Sequence, residues 1–342
     1  MVSVIGAPVL ALWLIEGAPA GPVIRTAMVT AEPRRPFQSD RQLFAFRSGF
    51  WVNLHHFLYV LGRARLGMAD SRRAAVVKAP ADLEGLSARS DDERAIWDEV
   101  VHFYAGELAA KDAIFDAALV ATTRKLADAP DGADVATLGL DAQLAGTLRL
   151  AAPVYRAVWW PRHSRTNEAR IEQLQGLIDK HGAVLVKRLT SLYGTQWPAE
   201  PRTIDITAYA NWAGAYSTDA QLIVVSSTDE ATAGMLGLET LLHESAHQWD
   251  AEVEHRLAAI AAKQGKPLPS LLSHALIFYT SGELVGEAVP GHVPYAVKAG
   301  LWNQQGLGAF KPWLDQYWRP YIRGTGTFED AAGAMIANVS LR

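Results

Sequence analysis

The sequence contains no cysteine. That removes disulfides, thiolate metal ligands and cysteine nucleophiles, and leaves histidine and carboxylate as the strong metal-binding side chains. An excess of positive charge is absent too: 32 Lys and Arg against 36 Asp and Glu give a formal net charge of −4. Tracking a phosphate backbone needs a basic footprint, so nucleic acid is not an expected partner. No stretch approaches the roughly 20 uninterrupted apolar residues of a spanning helix. Repeats and low-complexity tracts are missing as well. These absences predict a soluble chain with no stable membrane span. What is present is ordinary globular composition, with 49% hydrophobic and 20% charged residues in 342. At roughly 150 residues per domain, that length suits about two domains or one large one.

Val2 to Ile15 is an apolar run broken only by Gly6 and Pro8, and Ala18-Pro19-Ala20 follows as a small-x-small pattern. Residues 1–22 therefore read as a signal peptide of an exported protein, periplasmic or secreted. No Lys or Arg precedes the run, so a buried N-terminal segment of a cytoplasmic protein is the competing reading. Residues 23–38 are rich in Pro, Ala and Arg without periodicity and read as a linker.

Beyond it, Leu43, Phe46, Phe50, Leu54, Phe57, Leu58 and Leu61 recur at three- and four-residue spacing, which predicts a helix from about Ser39. Ser90-Asp91-Asp92-Glu93 fits a capping box that starts a helix through Trp97, Val100, Val101 and Tyr104. Further helices are expected over about 109–128, 140–158 and 165–192. After Pro201 the pattern changes. Thr203 to Thr207 alternates with period two, and Leu222 to Val225 is a short apolar run rich in β-branched residues; both read as strands. A helix from about Glu230 to Lys263 follows, then one from near Ser270 to before Pro290, and a Trp-rich helical tail over 310–321. The expected class is α+β, predominantly helical: a helical domain over 39–195, and a catalytic domain over 196–342 whose small sheet precedes the active-site helix.

That helix carries His243-Glu244-Ser245-Ala246-His247. Residues four apart share a helix face about one turn apart, so two imidazoles can aim at one point. Glu244, one residue on from the first histidine, sits at the edge of that face. There it can reach a water activated at the metal rather than the metal itself, which is the geometry of a general base. One zinc per chain is the expected cofactor, and a catalytic zinc site needs a third protein ligand plus an open position.

Over about residues 203–290 the sequence resembles the gluzincin group of zinc metallopeptidases. The metzincin alternative is absent, because Asp250 and Val253 stand where it requires Gly and His. The resemblance implies a zincin-like catalytic core, a peptide or protein substrate, and a third ligand from a later helix with a carboxylate four residues on that orients a metal-bound histidine. Ser281-Gly282-Glu283-Leu284-Val285-Gly286-Glu287 offers Glu283 as ligand and Glu287 as the orienting group. Glu287 as ligand, or a merely solvated acidic face, are the alternatives. The resemblance also implies an edge strand for substrate within 209–225, where Gly214 would permit close backbone approach.

In Pro290-Gly291-His292-Val293-Pro294-Tyr295 a constrained turn follows the ligand helix, and Tyr295 is the candidate oxyanion donor; a buried tyrosine with a structural hydrogen bond is the plainer reading. His274 lies nine residues before Glu283, half a turn away by helical angle, and is therefore placed outside the site. His55-His56 reads as helix-packing histidine and the scattered tryptophans as core. Two other classes compete with a zinc hydrolase. Glu99-x-x-His102 and Glu244-x-x-His247 together permit a di-iron carboxylate bundle, which would leave His243 idle. A binding or scaffold protein with a vestigial metal site would leave Glu244 unexplained.

Overall fold

A computed structural model describes residues 42–67, 77, 79–211, 213–218 and 222–339. The signal-peptide and linker segments expected over 1–38 lie outside the described residues. The chain is α+β and predominantly helical, as its periodicities predicted.

Strand β1 (Phe44–Arg47) opens the described chain where a helix from Ser39 was expected. The three- and four-residue spacing of Leu43, Phe46 and Phe50 crosses an element boundary. Phe44-Ala45-Phe46-Arg47 alternates on its own and pairs in parallel with β2 (Arg202–Thr207), so a partner distant in sequence overrides the local period. Helix α1 (Phe50–Arg65) is buried on nearly every side. The short α2 (Pro80–Leu83) and then α3 (Asp91–Glu107) follow, α3 starting at the expected capping box: Ser90 Oγ accepts from the Glu93 N–H while the Glu93 carboxylate accepts from the Ser90 N–H. Helices α4 (Ala117–Asp128), α5 (Ala142–Val158) and α6 (Trp160–Tyr193) complete the first part, α6 ending on Gly194 in the left-handed region.

Next come β2, β3 (Ala215–Ser217) and β4 (Ile223–Ser226), in a sheet of order β1-β2-β4-β3 with β3 antiparallel at the edge. Ile204, Ile206, Ile223, Val225 and Ala215 face one hydrophobic core, while Tyr216 and Val224 face the other. Burial on both faces explains why Leu222 to Val225 reads as a continuous apolar run. Gly214 has φ +79°, and a Cβ there would come within 2.7 Å of Asp229 Oδ2. That aspartate caps the turn at Glu230–Thr232 leading into α7 (Gly234–Ala246).

The single helix expected over 230–263 is interrupted. A 3₁₀ turn at His247–Trp249 separates α7 from α8 (Asp250–Lys263). Helix α9 (Leu272–Ala288), short α10 (Tyr295–Lys298) and α11 (Lys311–Trp313), a π turn at Leu314–Trp318, α12 (Arg319–Ile322) and α13 (Phe328–Asn338) finish the chain. Elements from either side of the boundary expected at 195/196 pack together. β1 from the first part is a strand of the sheet, and α6 packs on α7 and α9. Among the described residues no helix is long and apolar enough to cross a membrane.

Candidate metal centre

The first two residues of the site come from the end of α7. His243 is buried, and His247 sits where the helix tightens into the 3₁₀ turn. Their Nε2 atoms are 3.2 Å apart. The third comes from α9, which lies across α7: His274 Nε2 is 3.4 Å from His243 Nε2. Ligand atoms of His243, His247 and His274 all fall within 4.8 Å of one another, and this is the metal-capable grouping of histidine and carboxylate among the described residues.

Hydrogen bonding alone accounts poorly for that convergence. A neutral imidazole Nε2 carries either a proton or a lone pair, so His243 Nε2 can serve only one of its two nitrogen contacts. A cation accepting a lone pair from each ring satisfies all three. Nitrogens about 2.05 Å from a tetrahedral zinc stand about 3.3 Å apart, close to the two separations observed. His247 is set for this role, since its Nδ1 lies 2.7 Å from Asp250 Oδ2. A carboxylate can only accept, so Nδ1 holds the proton and Nε2 is left with its lone pair.

Electrostatics favour lone pairs on the other two rings. Burial, reinforced by His247 and His274, holds His243 well below the ordinary histidine range. Burial and the field of His247 pull His274 down to about 3. For His247, burial lowers the pKa, but Asp250 and Glu244 outweigh it and the net shift is upward. Phe278, one turn after His274, lies against both rings, with centroids 4.0 Å from His243 and 4.7 Å from His274.

Glu244 is buried beside the histidine cluster and reaches the sheet edge. Its Oε2 accepts from Ser217 Oγ at 2.8 Å. Burial pushes its pKa up, opposed by His247 and by the bond from Ser217. A carboxylate raised toward the working pH is a stronger base.

Glu283 is not brought to this cluster. It stands half a turn from His274 on α9, where Arg319 holds both its oxygens, Nε to Oε2 at 3.2 Å and Nη2 to Oε1 at 3.4 Å. Glu287 likewise pairs with Arg188 at 3.1 Å rather than orienting a histidine. Asp250 does that instead. Nine residues on one helix put His274 and Glu283 on opposite faces of α9, and the inward face belongs to His274. The signal available was its four-residue spacing to Phe278 and the apolar Leu276-Ile277 run around it.

The Tyr295 ring contacts Phe278 at 6.1 Å, and its N–H donates to both oxygens of Glu239. Glu239, one turn before His243, also takes His292 Nε2 at 2.6 Å, so this buried carboxylate ties the turn after α9 to α7. Glu99 and His102 on α3 stand outside the histidine grouping. Neither a protein-family profile, nor a curated protein, nor a solved structure matches the chain.

Proposed function

We propose that this protein is a zinc-dependent hydrolase, with His243, His247 and His274 holding the metal and Glu244 as general base. The observation that carries it is the convergence of three Nε2 atoms beside a buried carboxylate held by Ser217. Three imidazoles on one ion leave a fourth position open, the arrangement of catalytic rather than structural zinc. When bound, zinc supplies Lewis acidity toward a carbonyl and brings the pKa of a water toward about 7.

The chain's own residues do the rest. Glu244 accepts the proton of the attacking water and returns it to the leaving group. Asp250 holds the His247 tautomer, and Phe278 keeps bulk water from the His243 and His274 rings. A peptide is the proposed substrate. The motif's resemblance to zinc metallopeptidases supports it, as does β3, an edge strand beside Glu244 that an extended chain can run along. Tyr295 stays the candidate oxyanion donor, held close by Glu239 and Phe278.

The test is metal analysis of the purified protein with digestion of a peptide library, before and after chelation. About one zinc per chain and chelator-sensitive cleavage are expected. Two irons, or cleavage indifferent to chelation, would overturn the reading.

A further inference from the structure

Strand β3 is three residues long and paired to the sheet on one side only, yet it supplies the contact that orients Glu244. Its alternation puts Ala215 and Ser217 toward α7 and Tyr216 toward α1. On the α1 side, Tyr216 Oη lies 2.7 Å from His56 Nε2, and His56 Nδ1 lies 2.8 Å from the Val52 carbonyl oxygen. That oxygen can only accept, so Nδ1 carries the proton and Nε2 accepts from the Tyr216 hydroxyl. Tyr216 and His56 are each 2% exposed, so water does not compete for this bond. Its neighbour His55 turns the other way, to Tyr104 on α3 at 2.9 Å and Thr123 on α4 at 3.3 Å, anchoring α1 against that layer.

We infer that Tyr216 and His56 are positioning residues for Glu244, acting through Ser217: α1 fixes Tyr216, Tyr216 fixes the edge strand, and Ser217 holds the base. The inference rests on Glu244 being the base. A phenylalanine would fill the place of Tyr216 without a buried hydroxyl to satisfy, so the hydroxyl's contribution is the directional bond. The Ser217 hydroxyl holds the carboxylate, and a small shift of Ser217 turns it away from the reacting water, where an ångström of misplacement is costly.

The experiment compares wild type, Tyr216→Phe, Ser217→Ala and Ser217→Thr by zinc content, kcat and KM on a cleaved library peptide, and amide exchange of the segment 213–218. For Tyr216→Phe, unchanged zinc and KM, kcat down about fivefold and faster exchange in that segment are expected. Ser217→Ala should lose about tenfold or more in kcat, because a bond to a charged acceptor is stronger, and Ser217→Thr should recover most of it. Zinc-dependent wild-type turnover with Tyr216→Phe unchanged in kcat and exchange would overturn the positioning role alone. A kcat loss tracking lost zinc would overturn it in favour of a merely structural bond. Wild type without zinc or chelator-sensitive turnover would overturn the hydrolase reading and this role with it.

Discussion

His274 Nε2 stands 3.4 Å from His243 Nε2, although 31 residues separate them in the chain. The crossing of α9 over α7 makes that contact, and it turns a two-histidine motif into a three-nitrogen site.

His274→Ala should therefore weaken zinc binding by more than about 100-fold, since removing a ligand costs more than removing an orienting partner. Glu283→Ala should leave zinc in place and cost under about 1 kcal/mol, as partly exposed ion pairs contribute little. Zinc titration of both variants checks the order, and the reverse order would restore Glu283 as ligand.

Glu244→Gln should keep one zinc per chain and lose about 10²- to 10⁴-fold in kcat, the usual contribution of a general base. Turnover close to wild type would show that another group takes the proton.

Asp250→Asn keeps the size of the side chain and removes the charge that holds His247 Nδ1–H. Zinc affinity should fall about 10- to 100-fold with the fold intact, measurable by competition with a chromogenic chelator.

Acid should destabilise the protein through His56. Burial, partly offset by its bond to the Val52 carbonyl, lowers its pKa to about 4. The unfolded chain, with a pKa near 6.5, binds the proton first. The stabilisation is therefore complete above about pH 6.5 and is lost as pH falls toward 4, by about 3 kcal/mol in all. Urea unfolding of wild type and His56→Asn between pH 7 and 4.5 should show the shallower pH slope in the variant.

Gly214→Ala should destabilise by about 1–3 kcal/mol, read from the urea midpoint. The residue needs a positive φ, and its new Cβ displaces the Asp229 side chain that caps the turn before α7.

The legible parts of this protein are those set within a turn or two of chain. Ser90 and Glu93 announce the start of α3 because both halves of a capping box lie within four residues. Strands β2 and β4 show in their alternation and β-branched run. β1 was hidden because its pairing partner lies some 158 residues away, and β3, three residues with too little periodicity to see, was expected only through the family resemblance, as an edge strand within 209–225.

The sequence by itself determined that His243 and His247 share a helix face with Glu244 at its edge, since four-residue spacing and about 100° per residue leave no other outcome for a helix. It determined as well that His274 and Glu283, nine residues apart on α9, point in opposite directions. Only the tertiary structure decided which of them points inward. That depends on how α9 rolls against α7, and on Arg319, Asp250 and Ser217 arriving from other elements to claim Glu283, His247 and Glu244.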